Sequence, residues 1–131
     1  MSTFESFEEL KVYQMAREFR IVVARWAKTL PAEERYRLAD QVIRAARSIT
    51  ANIAEGFGRQ HPKENLQFCR QARGSLMELL DHLNAAFDES LISQNQYAAL
   101  CDQFGDVKRL LSGYIRYLQT LTKKDTKFKN E

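Results

Sequence analysis

Glu78 and His82 lie four residues apart, the spacing at which a helix sets a carboxylate beside an imidazole. In a helical bundle such side chains suggest a carboxylate-bridged di-metal centre. That centre needs Glu-x-x-His elements on two helices and a further Glu from each of the other two. The chain has two histidines, and the second, His61, falls in the turn before a helix. Glu78 and His82 therefore read as a solvated ion pair, and no metal is expected. Asp81, Asp88 and Glu89 lack an opposing carboxylate at the same helical level, which acid–base work on a bound substrate would call for, so they read as surface charges. Cys69 and Cys101 stand apart in apolar surroundings with no CxxC and no neighbouring His, as buried thiols do in a reducing cytoplasm. No P-loop, GxGxxG, HExxH or nucleophile elbow is present. The expectation is a protein without catalytic residues or cofactor, not an enzyme.

Arginine offers a different chemistry, because its guanidinium forks onto phosphate oxygens. The formal net charge is only +3, but it is unevenly spread. From Arg35 to Arg73 the net charge is +5, from Gly74 to Val107 it is −6 with no Lys or Arg, and from Lys108 onward it is +5 again. Segregation of this kind suits either a nucleic-acid surface or electrostatic mating between subunits. The candidate phosphate contacts are Arg37, Arg44, Arg47, Arg59, Arg70 and Arg73.

The elements that must carry these residues are helices. Five Gly and two Pro in 131 residues leave little room for loops. Apolar residues recur at steps of three and four throughout, and no stretch alternates with period two. Ser6 to Glu9 and Ser93 to Gln96 are capping boxes, and Pro31 and Pro62 each precede a run suited to a helix start. The spacing predicts helices over about 7–28, 33–55, 63–88 and 94–121, with a frayed basic tail over 122–131. The expected fold is all-α: one domain, 1–131, forming an antiparallel up-down-up-down four-helix bundle. There is no signal-like start and no apolar run of the ~18 residues a membrane span needs, so a cytoplasmic protein is expected.

Helix two is apolar or small over about half its circumference, with Ala39, Ile43, Thr50 and Ala54 widening the core stripe. The excess calls for deep burial within the bundle or for a subunit interface. A hairpin turn centred near Gly58 would set Arg44 level with Arg73 and Arg47 level with Arg70, with Arg37, Arg44 and Arg47 on one polar face. Such rungs would hold anions between them, either phosphates of RNA or DNA or carboxylates of a neighbouring helix or subunit.

The segment "LPAEERYRLADQVIRAARSITANIAEGFGR" followed by "FCRQARGSLMELLDHL" strongly resembles the four-helix-bundle proteins encoded in intervening sequences of bacterial large-subunit (23S) ribosomal RNA genes. The resemblance rests on Pro31 and Glu34, on Gln41, Ala45, Ser48 and Ile49, on Asn52 to Gly56 (Asn-Ile-Ala-Glu-Gly), and on Ala72, Gly74, Ser75, Leu76 and Glu78. The fold is also similar to the accessory variability protein of diversity-generating retroelements, a basic homopentamer that binds nucleic acid and a reverse transcriptase but lacks the Asn-Ile-Ala-Glu-Gly signature. These resemblances imply a homo-oligomer, a pentamer by analogy, and contact with RNA or DNA; the second reading is an adaptor for a partner protein. They carry over no catalytic residue.

In the motif itself, the small residues of helix two, with Gly74 and Ser75 of helix three, are expected to let helices approach closely. Asn52 is expected to bond a neighbouring helix. Gly56 suits the C′ position that ends a helix. Glu55 opposes the helix dipole and needs a cation, with Arg59, Arg47 and Arg73 as candidates.

Overall fold

A computed structural model describes the backbone of residues 4–130 and the side chains of residues 4–124. Four helices follow one another: α1 Lys11–Ala27, α2 Leu38–Gly58, α3 Pro62–Asp88 and α4 Gln94–Asn130. Short 3-10 turns at Phe7–Glu9 and Ala32–Glu34 precede α1 and α2, and no strand occurs among the described residues.

Four boundaries differ from the sequence expectation by three residues or more: α2 runs to Gly58 rather than 55, and the other three differ each for a local reason. Ser6 does cap, but its hydroxyl accepts from the Glu8 amide and closes only a 3-10 turn, so α1 starts at Lys11. Pro31 and Glu34 likewise form a separate 3-10 turn, and the Glu34 carboxylate reaches forward to the Leu38 amide at 3.4 Å, capping α2. Helix two therefore begins five residues later than expected, and Arg37 precedes it as the N-cap residue. The third departure is the basic tail, which continues α4 as helix to Asn130 rather than fraying; its side chains from residue 125 lie outside the described residues.

Helix ends are marked by two left-handed residues, neither of them glycine: Gln60 at φ 54° after α2 and Ser90 at φ 59° after α3. Ser90 closes a Schellman motif, with its own amide bonded to the Phe87 carbonyl and the Leu91 amide to the Ala86 carbonyl. Pro62, at the first position of α3, needs no amide partner there.

Packing is around a square, α1 against α2, α2 against α3, α3 against α4 and α4 against α1. The antiparallel register is fixed by polar pairs: Ser48 with Ser75 between α2 and α3, and Asn65 with Tyr114 and Asn84 with Tyr97 between α3 and α4. Along the axis Phe19 and Val23, Ile49 and Ile53, Leu76, Leu79 and Leu83, and Leu100, Val107 and Leu111 supply fully buried side chains. Much of helix two's wide apolar arc is spent inside the bundle. Ala39 and Thr50 are buried, and the Thr50 hydroxyl accepts from the Arg20 guanidinium of α1 at 2.8 Å. Ile43 and Ala54 stay half-buried. Among the described residues, no helix is long and apolar enough to cross a membrane.

Candidate nucleic-acid interface

The Ser48–Ser75 contact, 2.8 Å between hydroxyls, sets the register of the α2–α3 hairpin about six residues away from the expected one, roughly 9 Å at 1.5 Å per residue. Ser75 also identifies the side of α3 that faces α2. Arg73 and Arg70 precede it by two and five residues, which at about 100° per residue turns both away from α2. The arginine rungs expected from the sequence do not form: Arg44 and Arg47 lie on the outer face of α2, whereas Arg70 and Arg73 lie on the far flank of α3.

That flank adjoins α4, where a different set of cations assembles. The Tyr97 hydroxyl donates to the Asn84 side chain and marks the α3–α4 seam. Eleven residues make about three turns, so Arg73, eleven before Asn84, and Lys108, eleven after Tyr97, return to the same seam. Because the helices are antiparallel, the two also stand level. Arg70 lies a turn beyond Arg73, and Lys63 and Arg116 continue the outer surface in the same direction. All five side chains are exposed, and none forms an ion pair among the described residues. Lys108 and Arg116 were not among the sequence candidates, because their place beside Arg73 depends on α4 register that only the tyrosine–asparagine contact reveals.

The remaining candidates are partly engaged. Arg44, 78% exposed, pairs with Asp40 one turn earlier at 3.2 Å. Arg59 pairs with Glu55 at 3.2 Å and lies over the Phe68 ring, 5.1 Å from its centroid. Glu55 thus has the first of its expected cations, and Arg59's charge is committed to it. Arg37 and Arg47 are exposed and form no ion pair among the described residues.

The signature residues build the hairpin. Gly56 does not end α2; it is buried inside it. A Cβ there would lie 2.6 Å from the Asn65 Oδ1 and 2.9 Å from the Phe68 Cβ, so glycine is required by the close approach of α3. Asn65, not foreseen from the sequence, is buried; its amide donates to the Tyr114 hydroxyl at 3.0 Å and its Oδ1 accepts from the Cys69 thiol. Asn52 does not bond a neighbouring helix. Its amide donates to the Ser48 carbonyl and hydroxyl within α2, leaving Ser48 to make the link to Ser75. Gly74 is exposed, with nothing within 4 Å of an added Cβ, so it serves no close approach within the chain.

Burial raises the Cys69 thiol to about 12, and it also raises the Tyr114 phenol. Cys101 is only half-buried, and both cysteines are free. His82 is not solvated as expected: its side chain is 14% exposed, and its Nε2 lies 3.4 Å from Glu78 without hydrogen-bond geometry. Among the described residues, no three His, Cys, Asp or Glu side chains come together as metal ligands would.

The family of 23S rRNA-intervening sequence proteins matches this sequence over residues 8–113, and the chain belongs to that family. Among solved structures it is similar to the crystal structure of a protein of unknown function from the S23 ribosomal protein family of Bacteroides thetaiotaomicron. The two are 23% identical with a TM-score of 0.75, over 80% of this chain and 95% of that one, a likeness of fold. No curated protein matches the sequence.

Proposed function

From that membership, we propose that the chain is a non-enzymatic, oligomeric scaffold that grips the phosphate backbone of nucleic acid. The observation that supports the reading is the uncompensated basic half of the α3–α4 seam: Arg70, Arg73 and Lys108 with Lys63 and Arg116, exposed and without ion pairs among the described residues. Arginines and lysines left without ion pairs among the described residues offer several phosphate contacts at once. Arg37, Arg44 and Arg47 form a second patch on α2, weaker because Asp40 shares Arg44. The family's link to 23S rRNA makes RNA the polyanion to test first.

Titration of RNA at two salt concentrations tests the reading. Each phosphate contact removed lowers the slope of log affinity against log salt by about 0.7–0.9. Arg73→Gln and Lys108→Gln are expected to lower it, and Arg44→Gln to lower it less. Binding should weaken equally for unrelated sequences, since phosphate contacts position without specifying. Absence of RNA and DNA binding at low salt would falsify the proposal.

A second reading, an adaptor for a partner protein, draws on the acidic half of the same seam. There Met77 and Phe87 are exposed among Asp81 and Asp88, with no Lys or Arg from Gly74 to Val107. Salt-tolerant capture of one defined polypeptide, with no polyanion binding, would favour it.

A further inference from the structure

Between α1 and α2 runs a shallow groove of about 140 Å³, lined by Arg20, Ile21, Ala24, Ile43, Ala46 and Arg47. It is smaller than the roughly 300 Å³ at which small-molecule sites begin, so it fits a side chain better than a cofactor. Its floor is apolar and its rim cationic. Arg47 has no ion pair among the described residues, Arg20 is anchored to Thr50, and Ile21 is exposed despite being a large aliphatic residue.

The opposite edge of the square carries the complement. On α3, Arg73, Met77 and Asn84 share one strip by their spacing of four and seven, with Asp81 and Asp88 beside it. Arg73 ends the basic half of the seam. Beyond it come exposed Met77, the acids Asp81 and Asp88, neither in an ion pair among the described residues, and exposed Phe87 stacked on Tyr97 at 4.5 Å. Methionine is flexible enough to fill an irregular apolar groove.

The geometry points to a head-to-tail contact between copies of this chain, in which Met77 of one copy enters the α1–α2 groove of the next and Asp81 meets Arg47 or Arg20. This rests on the oligomeric part of the proposed function and names the surfaces that make it. Two observations favour a second copy. Pairing of the groove with itself would set Arg20 and Arg47 against their own counterparts, and like charges repel across an interface. The partner must therefore be acidic and apolar, which the far edge of this same chain supplies. The second observation is height. Counting from the Ser48–Ser75 contact in opposite directions, Ala46 of the groove floor is level with Met77. A heterologous contact that rotates without climbing closes into a ring, whereas one that climbs gives a filament. In such a ring all copies point the same way, so the basic halves of their seams, Arg73 and Lys108 included, gather on one rim.

Complementation tests this. A groove variant, Ile21→Asp with Arg47→Glu, and a seam variant, Met77→Lys with Asp81→Lys, alter only exposed positions, so helicity by circular dichroism should not change. Each alone is expected at the 15.3 kDa of one chain in light scattering. Mixed, they should form a 1:1 heterodimer, because one intact groove and one intact seam remain. Charge reversal within one chain, Arg47→Glu with Asp81→Lys, should regain the assembly that Arg47→Glu alone loses, which keeps the test decisive should a variant fold poorly. Wild-type mass in either variant, a mixture that stays monomeric, or a reversal that regains nothing overturns the contact while leaving the oligomer in place. Wild-type protein at the mass of one chain at micromolar concentration removes the oligomer itself.

Discussion

Gly56 and Gly74 are both glycines inside helices, yet a methyl group has opposite consequences at the two. At Gly56 the added carbon meets a buried amide oxygen at 2.6 Å and a Cβ at 2.9 Å. The Asn65 side chain is held by Tyr114 and Cys69, and a Cβ moves only with its backbone. The overpacking cost of about 1–3 kcal/mol exceeds the ~1 kcal/mol by which Ala is the better helix former. Gly56→Ala is therefore expected to destabilise the fold, and Gly74→Ala, with open space around it, to stabilise it by up to about 1 kcal/mol; urea midpoints of the two variants decide. Cys69 gives a pH dependence of known sign. Its folded value, raised from 9.0 to about 12, means the native state holds a proton that the unfolded chain releases. The stability this reflects is complete below pH 9 and is lost as pH rises toward 12, at roughly 1.4 kcal/mol per pH unit per group. Tyr114, raised by burial as well, acts in the same direction above pH 10. Denaturation between pH 8 and 11 should show this decline, and Cys69→Ala should make it shallower.

At the scale of elements, helix type and number were legible because the 3-4 spacing of apolar residues is a property of each segment alone. Helix ends were less so. The residues that take the left-handed conformation are Gln60 and Ser90, while the nearby glycines Gly56 and Gly58 sit within α2. Glycine in the signature reads as a terminator, but tertiary approach of Asn65 and Phe68 claims Gly56 for packing, and the turn falls to a residue with a β-carbon. A non-glycine there is strained by about 1–2 kcal/mol. Ser90→Gly, which keeps the Schellman bonds, should recover part of it, raising stability by about 0.5–1 kcal/mol in a thermal melt. The candidate site was legible in composition but not in arrangement. Charge runs showed that Arg70 and Arg73 belong to a basic stretch. Which residues of the neighbouring helices stand beside them depends on register, and register is set by Ser48 with Ser75 and by Asn84 with Tyr97, contacts distant in sequence. The Glu34 cap and the 3-10 turn at Ala32–Glu34 likewise show why α2 starts late, since the carboxylate and the proline shape the entry before any apolar residue does.

For the whole molecule, charge segregation and assembly are coupled quantities. If the chain grips phosphates as proposed, Arg73→Gln in a single chain should lower the slope of log affinity against log salt by about 0.7–0.9. If copies close into a ring through Met77 and the α1–α2 groove, the same substitution recurs on every copy along the basic rim. The slope then falls by that amount multiplied by the number of copies one RNA touches. Breaking the ring with Ile21→Asp and Arg47→Glu leaves Arg70, Arg73 and Lys108 intact on each chain but unlinks them, and linked sites commonly gain 10²–10⁴-fold over separate ones. The groove variant should therefore bind long RNA far more weakly than the wild type, while a short oligonucleotide spanning one seam is held almost equally by both. Arg47 lies on the groove rim, so its own phosphate contact, if it makes one, would weaken short and long RNA alike. Comparing the two RNA lengths at two salt concentrations distinguishes these effects. Equal losses on both lengths would assign Arg47 to the RNA surface, and loss confined to long RNA would assign the affinity to the ring.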